Sequence, residues 1–146
     1  MKNSVTIILI ALLAVLTISC NTGPQAIDYG NDGCHFCKMT IVDKIHGAEF
    51  ITGKGKVYKF DATECMLNYA QDVQTKVTGI YYTNHYGNPT ELIPSSEATY
   101  LISKELPSPM GANLTAFKEK STAEKIQSDL GGTLYTWKEL KTYLNN

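Results

Sequence analysis

Twice along the chain, two strand-like stretches, a capped amphipathic helix and a further strand follow one another in the same order. This order limits the fold more than any single motif does. In the first round "GAEFITGKGKVYKFD" reads as a hairpin turning at Gly53-Lys54-Gly55, and "KMTIVDK" before it alternates apolar and polar residues as a strand does. Asp61 then opens "DATECMLNYAQD", with Glu64 three residues on to close a capping box. Ala62, Cys65, Met66 and Tyr69 fall on one helical face. "VTGIYYTN" is the strand that follows, and "HYGNPTELIPSS" carries the Gly, Asn, Pro and Ser of a connection. In the second round "ATYLIS" and "LTAFKEK" are strands on either side of the loop "LPSPMGAN". "STAEKIQSDLGG" is a helix capped by Ser121 with Glu124, "TLYTW" a closing strand and "WKELKTYLNN" a short terminal helix. The expected fold is α+β, with two β-β-α-β units forming one compact small domain, although the residues themselves repeat poorly.

A different kind of segment precedes this pattern. Lys2 gives a positive start and Val5 to Ile18 is apolar apart from two threonines. At about 14 residues the run suits an export signal and falls short of the roughly 20 that cross a bilayer as a helix. Ser19 immediately precedes Cys20, and no A-x-A-like cleavage site is present. The expectation is a lipoprotein signal over residues 1–20, ending at a lipidated Cys20. A polar, Gly- and Pro-containing tether over 21–33 and one domain over 34–146 follow. The domain is then lipid-anchored in the cell envelope, facing the periplasm or the exterior.

All 13 basic residues are lysines and the formal net charge is −1. Without a basic surplus or a guanidinium fork, nucleic-acid binding loses its main electrostatic driving force, and that class is set aside.

If Cys20 carries lipid, Cys34, Cys37 and Cys65 remain, an odd number that leaves at least one thiol unpaired within the chain. Cys34 and Cys37 stand in "GCHFCKM". Structural zinc needs four ligands, usually from two such pairs, and the second pair is missing. Cys65 and a histidine are the available completion, yet Cys65 sits on an apolar helical face where a small thiol ordinarily packs. A thioredoxin-like pair opens a helix, whereas this one precedes a strand pattern, and Lys38 stands where c-type haem attachment needs histidine. On a strand, Cys37 and Met39 project to the same side. Thiolate and thioether together are soft ligands suited to Cu(I), which gives the methionine a role that zinc and redox chemistry do not. Met110, between Pro109 and Gly111 in a turn-rich loop, is a second displayed thioether. Cys34, His35, His46 and His85 are the further candidate ligands, and the sequence does not choose among them. The alternatives are a thiol-disulfide redox protein using Cys34 and Cys37, and a structural lipoprotein with an inert bridge.

Four stretches in order give the chain a family likeness: the signal ending at Cys20, "CHFCKM", "VYKFDATECMLNY" and "SPMGANLTAF". Together they resemble the NosL family of copper-binding lipoproteins, accessory factors for nitrous oxide reductase maturation, whose patterns run C-x-x-C-G-M, F-D-x-x-x-C-M-x-x-Y and T-P-M-G…A-F. The resemblance implies two β-β-α-β units and a membrane-anchored, periplasm-facing copper chaperone without catalytic turnover. Residues 34–146 are then its copper-binding domain. It further implies Cys37 and Met39 as first ligands to Cu(I), Met110 as the methionine from the second unit, and nitrous oxide reductase or another copper enzyme as recipient. Lys38 departs from the family's glycine.

Overall fold

The computed structural model describes residues 23–72 and 78–144. The apolar leader and Cys20 lie outside the described residues.

The first unit opens with β1 (Ala48–Thr52) and β2 (Val57–Phe60), paired antiparallel about the expected turn. Helix α1 (Thr63–Asp72) follows, then β3 (Gly79–His85), which pairs with the free side of β1. The stretch expected as a connection is instead a strand, β4 (Asn88–Pro94), folded back on β3 through a tight turn at Tyr86 and Gly87. Its two prolines disguise it. They are tolerated because the sheet order β2-β1-β3-β4 puts this strand at the edge, and the register shifts at Asn84/His85.

The second unit runs β5 (Thr99–Ile102), β6 (Leu114–Phe117), α2 (Lys120–Leu130) and β7 (Thr133–Thr136), with order β6-β5-β7. In both units the first strand is central, its hairpin partner lies on one side and the strand after the helix on the other. The repeat is therefore one of topology. A final helix, α3 (Trp137–Leu144), packs Trp137 and Leu140 into the shared core.

Alternation sorts the first sheet into two faces. Ala48, Phe50 and Phe60 turn toward α1, whose Cys65, Met66 and Leu67 close over them, and Tyr100, Leu114 and Trp137 continue the same core into the second unit. Each fully buried phenylalanine removes enough apolar surface to contribute about 2–3 kcal/mol, so this face sets the register of the sheet.

Residues from Gln25 onward, expected as tether, are docked on the opposite face. The Gln25 N–H donates to Glu49 Oε2 at 2.9 Å, Lys59 Nζ donates to the Ala26 carbonyl at 2.8 Å, Ile27 is buried, and Tyr29 Oη donates to Asn84 Oδ1 at 2.8 Å. A polar, Gly-containing composition hid a segment that is held by one buried aliphatic side chain, Ile27, and by the hydrogen-bonded Tyr29.

Neither expected capping box forms. At α1 the Glu64 carboxylate turns away to accept a hydrogen bond from Ser108 Oγ, in the loop between β5 and β6. At α2 the helix starts two residues earlier than the Ser121 cap requires, with Glu119 at the cap position, and Glu124 lies 3.3 Å from Lys120 instead.

Candidate metal centre

The stretch "KMTIVDK" makes no strand. Only Gly33 and Thr40 form a bridge, and between them the chain turns: Lys38 N–H donates to the Cys34 carbonyl at 3.1 Å and Cys34 N–H to the Met39 carbonyl at 2.8 Å. Lys38 carries the turn at φ +67°, a left-handed conformation that favours glycine. The premise that put Cys37 and Met39 on one side of a strand therefore does not hold. The turn instead folds Cys37 back toward Cys34.

What the turn brings together is sulfur. The Sγ atoms of Cys34, Cys37 and Cys65 all lie within 4.8 Å of one another, and none is in a disulfide. Cys65 arrives from α1, on the inward face the sequence assigns to it, so a thiol expected only to pack completes the cluster. Among the described residues this is the one group of three or more His, Cys, Asp or Glu side chains so placed. A signal for Cys65 was present in sequence, since three cysteines remain when Cys20, the expected lipidation site, is set aside. Only the fold shows that the helix N-terminus abuts the turn.

The three sulfurs differ. Cys34 is 2% exposed and Cys65 0%, whereas Cys37 is half-buried and reachable from solvent. A hydrogen bond from Cys65, followed by backbone N–H groups of Asp61, Cys37 and Phe36, holds the Cys34 thiol down to about 4 against the opposing effect of burial. Donating to Cys34, together with burial, pushes the Cys65 thiol up. Burial, and the Cys34 thiolate beside it, pushes Cys37 up as well. At neutral pH the cluster is thus one thiolate and two thiols.

The remaining candidates are placed as follows. Met39 is 53% exposed, and Met110 is 41% exposed on a turn closed by Gly111 N–H to the Ser108 carbonyl. The Ser108–Glu64 contact ties that loop to the residue preceding Cys65. His35 is exposed. Its Nδ1 lies 3.2 Å from the Lys59 amide nitrogen, and its ring meets Tyr58 edge-on at 5.0 Å. His46 is buried, with Nε2 3.1 Å from Thr115 Oγ1 and Nδ1 3.0 Å from Asp43 Oδ1. His85 Nε2 lies 3.3 Å from Glu91 Oε2. All three rings are thus occupied with neighbours other than the thiols.

Comparison with known proteins finds a matching family model and solved structures of the same fold. The family model described as NosL matches residues 25–144. The crystal structure of the copper chaperone NosL from Shewanella denitrificans superposes with a TM-score of 0.70 at 24% identity, over 82% of this chain and 96% of that one; the likeness is one of fold. A search of curated proteins finds no match.

Proposed function

We propose that this chain, which belongs to the NosL family, is a carrier for copper, holding Cu(I) as cargo on the sulfur atoms of Cys34, Cys37 and Cys65. The observation that carries the reading is the three-sulfur cluster itself. Metal–thiolate bonds of about 2.3 Å put three sulfurs around one ion about 4 Å apart, so a small contraction of the cluster suffices. Soft, three-coordinate sulfur suits Cu(I), whereas a zinc shell needs a fourth donor. That the match of fold is to a protein described as a copper chaperone supports the same cargo.

Cys37, the reachable sulfur, is where copper enters and leaves. The exposed thioethers of Met39 and Met110 serve as further sulfur ligands during exchange with a partner, which is a copper-receiving enzyme such as nitrous oxide reductase. Cys20 carries the lipid that keeps the domain at the membrane, facing the periplasm or the exterior.

The redox alternative is disfavoured by burial. A thiol-disulfide enzyme must present its thiolate to a substrate disulfide, and here the low-pKa sulfur, Cys34, is enclosed while the accessible one is the thiol with the raised pKa.

Titrating reduced protein with Cu(I) against a chromophoric competitor tests the reading. Cys65→Ser is expected to weaken binding by at least tenfold, worth about 1.4 kcal/mol, with Met39→Ala and Met110→Ala chiefly slowing transfer to the competitor. Unchanged affinity in Cys65→Ser would exclude the three-sulfur site. Catalytic reduction of a disulfide substrate, with copper bound no better than by a free dithiol, would favour the redox alternative.

A further inference from the structure

The docked N-terminal segment has a direction. Tyr29 meets Asn84, whose N–H donates to the Gly47 carbonyl, and Gln25 meets Glu49, which pairs with Tyr82. Followed backward from residue 29 to residue 25, the chain climbs one face of the sheet from the row of Gly47 to the row of Glu49. The next row on that face is Ile51 with Ile80 and Val57, followed by the turn at Gly53 to Gly55, where the Gly53 N–H donates to the Thr78 carbonyl. Four residues stand between Cys20 and Gln25. At about 3.5 Å per residue an anchor on Cys20 lies at most about 18 Å from Gln25, which makes it a short leash.

The surface at that end fits a bilayer. Lys54 and Lys56 are exposed at the turn, and no acidic residue occurs from Thr52 to Phe60 or from Thr78 to Ile80. Ile80, on the face along which the chain leaves, is 52% exposed beside the buried Ile51. Lys56 Nζ lies 4.6 Å from the Tyr58 ring centroid, on the face opposite to Ile80, so the end of the sheet carries lysines at its tip and an exposed aliphatic side chain on one flank, a combination that an anionic headgroup layer attracts. The sulfur cluster lies at the other end: Asp61, whose N–H points at Cys34, follows Phe60, and Phe60 pairs with Ala48, three residues or about 10 Å along the ladder from the Ile51 row.

We infer that the β1–β2 turn, with Lys54, Lys56 and Ile80, rests on the anionic lipid surface of the membrane that anchors the chain, so that the three-cysteine end is presented away from it. This rests on the lipid-anchor reading of Cys20. Copper exchange then takes place on the aqueous side, with a partner that approaches without displacing the domain from the bilayer.

Amine footprinting of the mature chain, carrying its lipid, on phosphatidylcholine vesicles with and without phosphatidylglycerol tests the orientation. On vesicles containing phosphatidylglycerol, labelling of Lys54 and Lys56 is expected to fall severalfold relative to detergent, with Lys44 unchanged. Protection of Lys44 in place of Lys54 and Lys56, or no protection of the turn, would overturn the orientation. Equal protection on phosphatidylcholine alone would overturn the anionic character of the contact. Mass spectrometry of Cys20 separates the two layers of the argument. A lipid-free Cys20 would overturn the anchor and the orientation together, whereas a lipidated chain with a freely labelled turn would overturn the orientation alone.

Discussion

Lys38 shows how one residue shapes the site. At φ +67° its side chain costs roughly 1 kcal/mol in a conformation glycine adopts freely, partly offset by the greater flexibility glycine gives the unfolded chain. Its ammonium donates to the His35 carbonyl at 2.6 Å, an exposed contact that returns little. Lys38→Gly is therefore expected to stabilise the protein by about 0.5 kcal/mol, read as a higher urea midpoint at unchanged slope. The thiols make a second prediction at this scale. Cys37 and Cys65 both hold their protons more tightly than a free thiol, and copper must displace them to bind as thiolates. Raising the pH relieves that competition, so the apparent Cu(I) association constant is expected to climb by about a hundredfold per pH unit near neutrality, one factor of ten per proton. Competitor titrations at two pH values measure the slope, and a flat profile would mean that at most Cys34 binds as thiolate. Neither effect was legible from spacing, because both depend on a turn that reverses the chain where alternation suggested a strand.

Among the elements, β1 carries an unusual burden. Glu49 is fully buried on the face covered by the N-terminal segment, and Oε1 has no partner among the described residues. Burial pushes its carboxyl up to about 7, against the lowering effects of the Gln25 N–H and Lys59. With a folded pKa above its unfolded value near 4.5, the folded state holds the proton more tightly. Its contribution to stability is fully present below about pH 4.5 and is lost as pH rises toward 7. Glu49→Gln keeps an acceptor for Gln25 and is expected to remove that slope, raising stability above pH 7 by on the order of 2 kcal/mol in denaturant titrations. Helix α1 gives the converse case. Ser108→Ala removes the donor to Glu64 Oε1, while Oε2 has no partner among the described residues. Leaving both buried oxygens bare is expected to cost about 1–3 kcal/mol and to loosen the Met110 loop, seen as faster amide exchange there. Sequence placed the hairpin, the three helices and the central strands, since periodicity and turn residues are local signals. It missed β4, whose prolines are compatible with a strand only at a sheet edge, and edge position is not a local property.

At the scale of the whole molecule, the segment from Gln25 to Gly33 is part of the body. It covers the second face of the first sheet and delivers the chain to Cys34. Ile27→Ala is expected to destabilise the fold by about 2–4 kcal/mol, whereas a mere tether would tolerate the change; thermal or urea unfolding decides between them. Local pattern alone was enough to determine the two-unit α+β architecture, because each unit's order of strand, strand, helix and strand is written in residues that are neighbours along the chain. The likeness to NosL was also legible, in short motifs whose order survives while the units themselves diverge. The tertiary structure alone decided that Cys65 joins Cys34 and Cys37, because a sulfur on a helix and two on a distant turn meet only once α1 has packed on β1 and β2. It alone decided that Glu64 serves the second unit and not its own helix. The physical reason is the same in both cases: periodicity records which way a side chain faces, whereas what it faces depends on how far-separated segments close one core.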